Sequence, residues 1–392
     1  MTQLTPHEEI HGRLDRLRHR LAAADLDGAL LSFAVDVFYY SGTRPNGVLW
    51  VPAAGEPVLL VRKGLARARE DSPLADIRPF PPSRELMEVL GGSARRIGLP
   101  FDVLPVQVFE LYRHLLPGCS FADLSAANRE LRSVKSAWEL EQLRAGGRRQ
   151  GEIFALLPAI IRPGMRELDV AAELECRLRK AGLAGYLRIR GFNQELTGGL
   201  VAAGAGAARP GCFDGPVTGA GVWTAAPYGP SCAVIMPGQP VLVDYGGFWN
   251  GYITDMSRLF AIGPLAPDLM RAFQVALAIQ DWIAQRLRPG QVPEDLYQGA
   301  LAMAAEAGLA DRFMGPPGEA ARFVGHGVGL ELDELPVLAP RFREPLRAGQ
   351  TLAVEPKFLF PGQGVVGIEN TFAVSEAGGE RLTILDDGLQ VL

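Results

Sequence analysis

Histidine is scarce in this chain: only five of its 392 residues are histidine, and only His326 lies beyond residue 114. His7, His11 and His19 share one N-terminal amphipathic stretch, where solvated helix surface is their ordinary role. Cysteine is scarcer still. Cys119, Cys176, Cys212 and Cys232 form no CxxC pair, which argues against a thiolate zinc site or a disulfide scaffold and for reduced thiols in a cytoplasmic protein. No apolar run reaches the ~18 residues of a membrane span. The first twenty residues are polar and lack the apolar core of a secretory signal. Positive charge is not in excess either: the net charge of −5 disfavours a nucleic-acid or anionic-membrane partner.

What is present suits a two-domain α/β chain. Thr5-Pro6-His7-Glu8 has the form of a helix-capping box with proline at the first helical position, and Leu14, Leu17 and Leu21 follow at helical spacing. Apolar runs at 29–35, 47–53 and 57–63 predict strands, so residues 1–132 are expected to form a small α/β domain. The polar, basic stretch 129–136 reads as a linker, and Ser136-Ala137-Trp138-Glu139 as a second capping box opening a helix towards Ile161. Residues 133–392 are then the second domain. Within it, Arg-Pro-Gly at 162–164 precedes Ala-Gly-Leu at 181–183, and the same pair recurs at 288–290 and 307–309. Equal spacing in both suggests either shared helix punctuation or a duplicated α/β half. Residues 190–232 are rich in glycine and alanine and poor in charge, so their periodicity says little.

Four acids lie on strand-like apolar runs of this domain: Asp244 and Asp255 flank a Gly-Gly-Phe-Trp-Asn-Gly turn, Glu355 ends one strand, and Glu369 is expected inside another. A carboxylate in a strand core is costly unless paired or bound to metal. Lys357 and Arg258 are the only close basic residues, too few for four acids. With His326 in a glycine-rich loop, the donors are rich in oxygen and poor in sulfur, which suits manganese first, or cobalt, zinc or iron. Four carboxylates fit two bridged divalent ions better than one.

The text VDYGGFWNGYITDMSR, GHGVGLELDELP, AVEPKF and GIENTF resembles, in order and spacing, the creatinase and methionine-aminopeptidase superfamily of pita-bread metallopeptidases, in particular its Xaa-Pro aminopeptidase and prolidase branch. The resemblance extends over nearly the whole chain and is weakest at 190–232. It implies a creatinase-like N-terminal domain before a pseudo-twofold catalytic domain. Asp244 would chelate one ion, Asp255 and Glu369 would bridge both, and His326 and Glu355 would complete the other, with Glu355 also the general base. It further implies a homodimer and a peptide substrate.

Departures from the family pattern stand beside these matches. Relatives with peptidase activity carry two further histidines; here one position is Tyr228 and the other Asp333, and an arginine of many relatives is Gly367. Tyr228 and Asp333 are therefore the expected substrate-binding residues, with Asp333 facing a cationic group of the substrate or pointing away. The leading expectation is an Xaa-Pro dipeptidase or aminopeptidase with a non-standard substrate shell. The alternatives are a small-molecule enzyme on the same scaffold, such as a creatinase-like C–N hydrolase or a metal-using dimethylsulfoniopropionate lyase, and an inactive binding protein.

Overall fold

A computed structural model describes residues 4–82, 85–90, 92–196 and 198–392, and all structural statements below concern these residues. The chain divides into two compact units, Met1–Arg132 and Ser133–Leu392.

In the first unit the helix His7–Ala23 buries Ile10, Leu14, Leu17 and Leu21 along one stripe. The expected capping box does not form. Pro6 is extended (ψ 150°) and itself takes the N-cap place, with no side-chain cap bond, so Thr5 stands one residue too far back. Six strands follow: β1 (Gly28–Leu31), β2 (Asn46–Pro52), β3 (Val58–Lys63), β4 (Asp76–Pro79), β5 (Arg96–Leu99) and β6 (Ser120–Asp123). Among the described residues they form one sheet in the order β4-β3-β2-β1-β5-β6. The strand expected over 29–35 is cut short, because Ala34–Ser41 is a helix that turns Asp36 inward onto Arg132 at 3.0 Å.

The second unit opens with the helix Ala137–Phe154, and here the capping box is complete: Glu139 N donates to Ser136 Oγ at 3.1 Å, and Ser136 N to Glu139 Oε2 at 3.0 Å. The helix stops at Phe154, and Leu157–Ile160 forms a separate short turn of helix. The sequence echo corresponds to matching elements. Helices Glu167–Lys180 and Pro293–Glu306 have 14 residues each, and Ala137–Phe154 and Pro267–Ala284 have 18 each. Glycines with positive φ flank the shorter pair at equivalent places, Gly164 and Gly182 in one copy and Gly290 and Gly308 in the other.

The strands of this unit are β7 (Gly199–Ala203), β8 (Pro240–Trp249), β9 (Tyr252–Ala261), β10 (Gly325–Gly327), β11 (Glu334–Leu338), β12 (Thr351–Val354), β13 (Lys357–Phe360), β14 (Gly364–Gly367), β15 (Asn370–Ser375), β16 (Gly378–Arg381) and β17 (Gln390–Val391). They pair as β17-β9-β8-β7, β11-β10-β12-β15-β16 and the hairpin β13-β14. Strand β8 is apolar on both sides: Leu242 packs into one core with Phe273, Ile279 and Leu296, while Val241 and Val243 pack into another with Phe154 and Leu174. Every residue of β9 is buried.

Polar side chains inside such strands need internal partners. Arg258 finds them in the carbonyls of Ser257 (2.7 Å), Glu369 (3.0 Å), Leu385 (3.1 Å) and Asp386 (2.8 Å), with Asn370 Oδ1 at 2.9 Å and Asp387 at 3.1 Å. Burial holds its guanidinium down to about 10 despite the neighbouring Asp387. Its donors are thus committed to the framework of the acidic strands rather than to their carboxylates.

Candidate metal centre

Strand parity gathers the acids. In the β8-β9 hairpin Asp244 pairs with Ser257, and Gly246 with Asp255. Opposite residues share a face, and so do residues two apart, so Asp244 and Asp255 point to the same side as diagonal neighbours. The turn between the arms is Asn250-Gly251, both at positive φ (47° and 90°), as a two-residue hairpin loop requires. On the other sheet His326 of β10 pairs with Ala353 of β12, and Glu355 lies two residues on, again on the same face. Glu369 is not inside a strand as expected. It sits in the break between β14 and β15, where an isolated bridge to Ser257 docks it on β9. The break frees its side chain to turn towards the aspartates.

The result is one cluster. His326 Nε2 lies 3.5 Å from Glu355 Oε1 and 3.9 Å from Glu369 Oε1. Asp255, His326 and Glu369 each offer a ligand atom within 4.8 Å of the others, a set that could hold one metal ion. The carboxylates of Glu355 and Glu369 are 6% and 2% exposed, so they depend on internal counter-charge. Burial first, and then the neighbouring carboxylates, raise the pKa values of Asp255 and Glu369 well above the usual acid range. Both shifts share the same causes, burial and then several carboxylates with too little positive charge among them. A divalent cation relieves that, so the donor set fits the group the chemistry calls for.

The cation already in the cluster is Lys357. Its Nζ donates to Asp244 Oδ2 at 2.7 Å, Glu355 Oε2 at 2.7 Å and Glu369 Oε2 at 2.9 Å. Burial opposes the ammonium, but the combined charges of these three acids raise its pKa well above the usual lysine value. From sequence, Lys357 is merely a nearby counter-ion. The signal for more is its position two residues after Glu355, on the same face of a continuing strand path.

A second buried pair fixes the loop that follows His326. Lys135 Nζ meets Glu334 Oε2 at 2.7 Å, while Glu334 Oε1 accepts from the backbone N–H groups of Leu330 (3.0 Å) and Glu331 (3.2 Å). Neither residue stands out in the sequence, since single charges are common.

Residues 141–376 match the model of metallopeptidase family M24, and residues 13–134 that of the creatinase/prolidase N-terminal domain. The chain belongs to metallopeptidase family M24. It is 26% identical over 374 residues to an Xaa-Pro dipeptidase of Pyrococcus furiosus, with 95% of this chain and 97% of the relative covered. It is also 26% identical over 376 residues to a probable dipeptidase PepE of Mycobacterium tuberculosis, covering 91% of this chain and 90% of the relative. The fold is similar to that of an Xaa-Pro dipeptidase from Bacillus anthracis (TM-score 0.83, 24% identity, 98% of this chain and all of that one). An X-Pro aminopeptidase from Thermotoga maritima gives a TM-score of 0.80 at 21% identity, with 97% of this chain and 99% of that one covered.

Beside the cluster of this M24 chain lies a cavity of about 350 Å³, bordered by Asp244, Asp255, His326, Glu355 and Glu369 and by both expected substrate residues. Tyr228 is half-buried on its wall, and burial together with nearby Glu195 raises its phenol pKa. Asp333, expected to face a substrate cation or to point away, borders the cavity but is engaged with backbone. Its Oδ1 accepts from Arg190 N at 2.7 Å and its Oδ2 from Gly191 N at 2.9 Å, so both oxygens hold backbone rather than face a substrate cation. With Leu332 N on Arg188 O at 2.8 Å and a buried Arg190–Glu331 pair at 3.5 Å, residues 188–191 are fastened to 331–333. These contacts anchor the start of the segment 190–232, whose composition said least.

Proposed function

We propose that this M24 chain is a metal-dependent Xaa-Pro peptidase, cleaving the bond before proline in short peptides. The observation that carries the reading is the convergence of Asp244, Asp255, His326, Glu355 and Glu369 on one cavity. The names of the similar dipeptidases and aminopeptidase support it. Asp255, His326 and Glu369 would hold a divalent ion with Glu355 beside them, manganese being the first choice for such donors. Two ions are the expectation from the sequence; the three-residue cluster supports one position directly.

A bound ion supplies Lewis-acid polarisation of the scissile carbonyl and acidifies the attacking water. The side chains do the rest. Glu355 takes a proton from the water through Oε1, the oxygen on the His326 side, and returns it to the proline nitrogen as the C–N bond breaks. Tyr228 can donate a hydrogen bond to the carbonyl oxygen as charge develops there. Leu187, Ile189, Leu196, Phe213, Val217 and Phe323 give the cavity an apolar wall, which favours peptide side chains over a small guanidino or sulfonium compound.

The test is turnover by metal-stripped protein reconstituted with manganese, cobalt or zinc, on Xaa-Pro dipeptides and tripeptides beside small amines and guanidino compounds. Metal-dependent release of proline or of Pro-containing product is expected. Where relatives keep both additional histidines, this chain should be slower by about 10²–10³, the usual effect of losing an oxyanion donor. Activity confined to the small compounds would replace the peptidase reading by the alternative one.

The protein is further proposed to be a cytoplasmic homodimer. Four free cysteines suit a reducing compartment, and the dimer follows from the family resemblance. Light scattering at micromolar concentration checks the dimer, and a one-chain mass would remove it; recovery of the native protein outside the cytoplasmic fraction would remove the location.

A further inference from the structure

The sequence leads to two divalent ions because four carboxylates exceed the needs of one. The geometry around Lys357 gives a different solution to the same excess of negative charge. An ammonium has three N–H donors and no acceptor, and those of Lys357 are matched by three carboxylate oxygens at 2.7, 2.7 and 2.9 Å. These are charge-assisted hydrogen-bond lengths, whereas an ion bound by the same oxygens would sit ~2.0–2.2 Å from them.

The oxygens are divided between two positions. Glu355 and Glu369 each give Oε2 to the ammonium, while Oε1 of each faces His326 Nε2, at 3.5 and 3.9 Å. Each glutamate therefore has one oxygen on the ammonium and the other turned towards His326. One position is bordered by His326, Asp255 and Glu369, whose donors suit a metal. The other, reached by Asp244, holds Nζ of Lys357.

The lysine has a place built for it. Its side chain is 2% exposed, and it enters along β13 directly opposite Gly367 of β14. A Cβ on Gly367 would stand 2.6 Å from Lys357 Cγ and 2.7 Å from the Pro356 carbonyl oxygen, so the side-chain-free position makes room for the lysine stem. A stem enclosed in this way cannot swing aside into solvent to admit an ion.

We propose that the Lys357 ammonium is the second cation of this centre, and that the chain binds one divalent ion where the donor count suggests two. The inference rests on the metal-centre reading above and deepens it. One dication and one ammonium together offset three of the four carboxylate charges. The ammonium supplies charge and hydrogen bonds but no open coordination position, so carbonyl polarisation is left to the single ion and to groups such as Tyr228.

Metal counting tests this independently of turnover. Stripped protein is loaded with manganese, freed of excess by gel filtration, and measured for manganese per chain and by electron paramagnetic resonance. Wild type is expected to hold one ion per chain with the six-line signal of an isolated Mn(II). Lys357→Ala is expected to hold two, with that signal replaced by the spectrum of a coupled pair. Two ions in wild type, none in wild type, or a single ion in folded Lys357→Ala would each overturn the proposal. The wild-type count needs no variant. Should Lys357→Ala fail to fold, Lys357→Met keeps the buried stem without the charge and is expected to exceed one ion per chain; a count of one would again refute the proposal. Xaa-Pro turnover by a two-ion wild type would sink this inference while leaving the peptidase function intact, and a one-ion protein without such turnover would do the reverse.

Discussion

Glu355→Gln is expected to lower kcat by about 10²–10⁴, the range that a positioned general base contributes, with little change in the fold. Glutamine has nearly the same shape, and its carbonyl oxygen can still accept the 2.7 Å hydrogen bond from Lys357. The amide nitrogen would then occupy the place of Oε1 on the His326 side, where it can neither take a proton nor bind a cation. The change therefore removes proton transfer while the buried contacts persist. Kinetics on an Xaa-Pro dipeptide should be read together with manganese content and circular dichroism. A wild-type rate at full metal occupancy would rule Glu355 out as the base.

Asp333→Ala is expected to raise KM by about 10–10², with a smaller effect on kcat. The two backbone hydrogen bonds it removes are made to a carboxylate, each of a kind contributing about 1.5–3 kcal/mol, and water can replace part of that at a half-exposed site. The remainder, at ~1.4 kcal/mol per tenfold, gives the stated range. Gly191 and Ile189 border the cavity, so loosening 188–191 affects substrate binding before it affects chemistry. Asp333 is in this sense a positioning residue. Asp333→His should show the same loss, because an imidazole cannot accept from two adjacent N–H groups at once. A gain on Xaa-Pro substrates with histidine, or an unchanged KM with alanine, would show that the loop does not depend on this carboxylate.

The acids and His326 were legible in the sequence because strand parity is local: an apolar run shows which carboxylates break it, and alternate residues share a face. Ser136 was legible for a similar reason, its partner Glu139 lying three residues away. Thr5 misled because proline can occupy either the N-cap or the first helical position, and only its ψ of 150° separates the two. Glu369 reads as part of a strand because Gly367 and Ile368 continue the apolar pattern across the interval between β14 and β15. Lys357 and Asp333 lay further out of reach. The roles of both depend on partners more than 100 positions away, Asp244 for one and Arg190 for the other. Counting charges along the chain gives Lys357 one unit of charge; its location among three carboxylates is a property of the assembled sheets. Residues 190–232 gave no periodic signal because, among the described residues and apart from β7 and a short helix at Gly204–Ala207, they are loops, anchored at Arg190 and Gly191 by the distant Asp333.

The hairpin that carries Asp244 and Asp255 also limits how this protein can change in length. Its ten residue pairs run without a bulge from Pro240↔Ala261 to Trp249↔Tyr252. One residue added or deleted within either arm between an aspartate and the turn would send that carboxylate to the opposite face, into the apolar layer containing Val243 and Phe260. Growth or shortening at Asn250-Gly251 itself leaves both arms in register. Insertions and deletions among descendants of this chain, or inserts grafted by design, are therefore confined to the tip, while each arm keeps a fixed spacing from turn to aspartate.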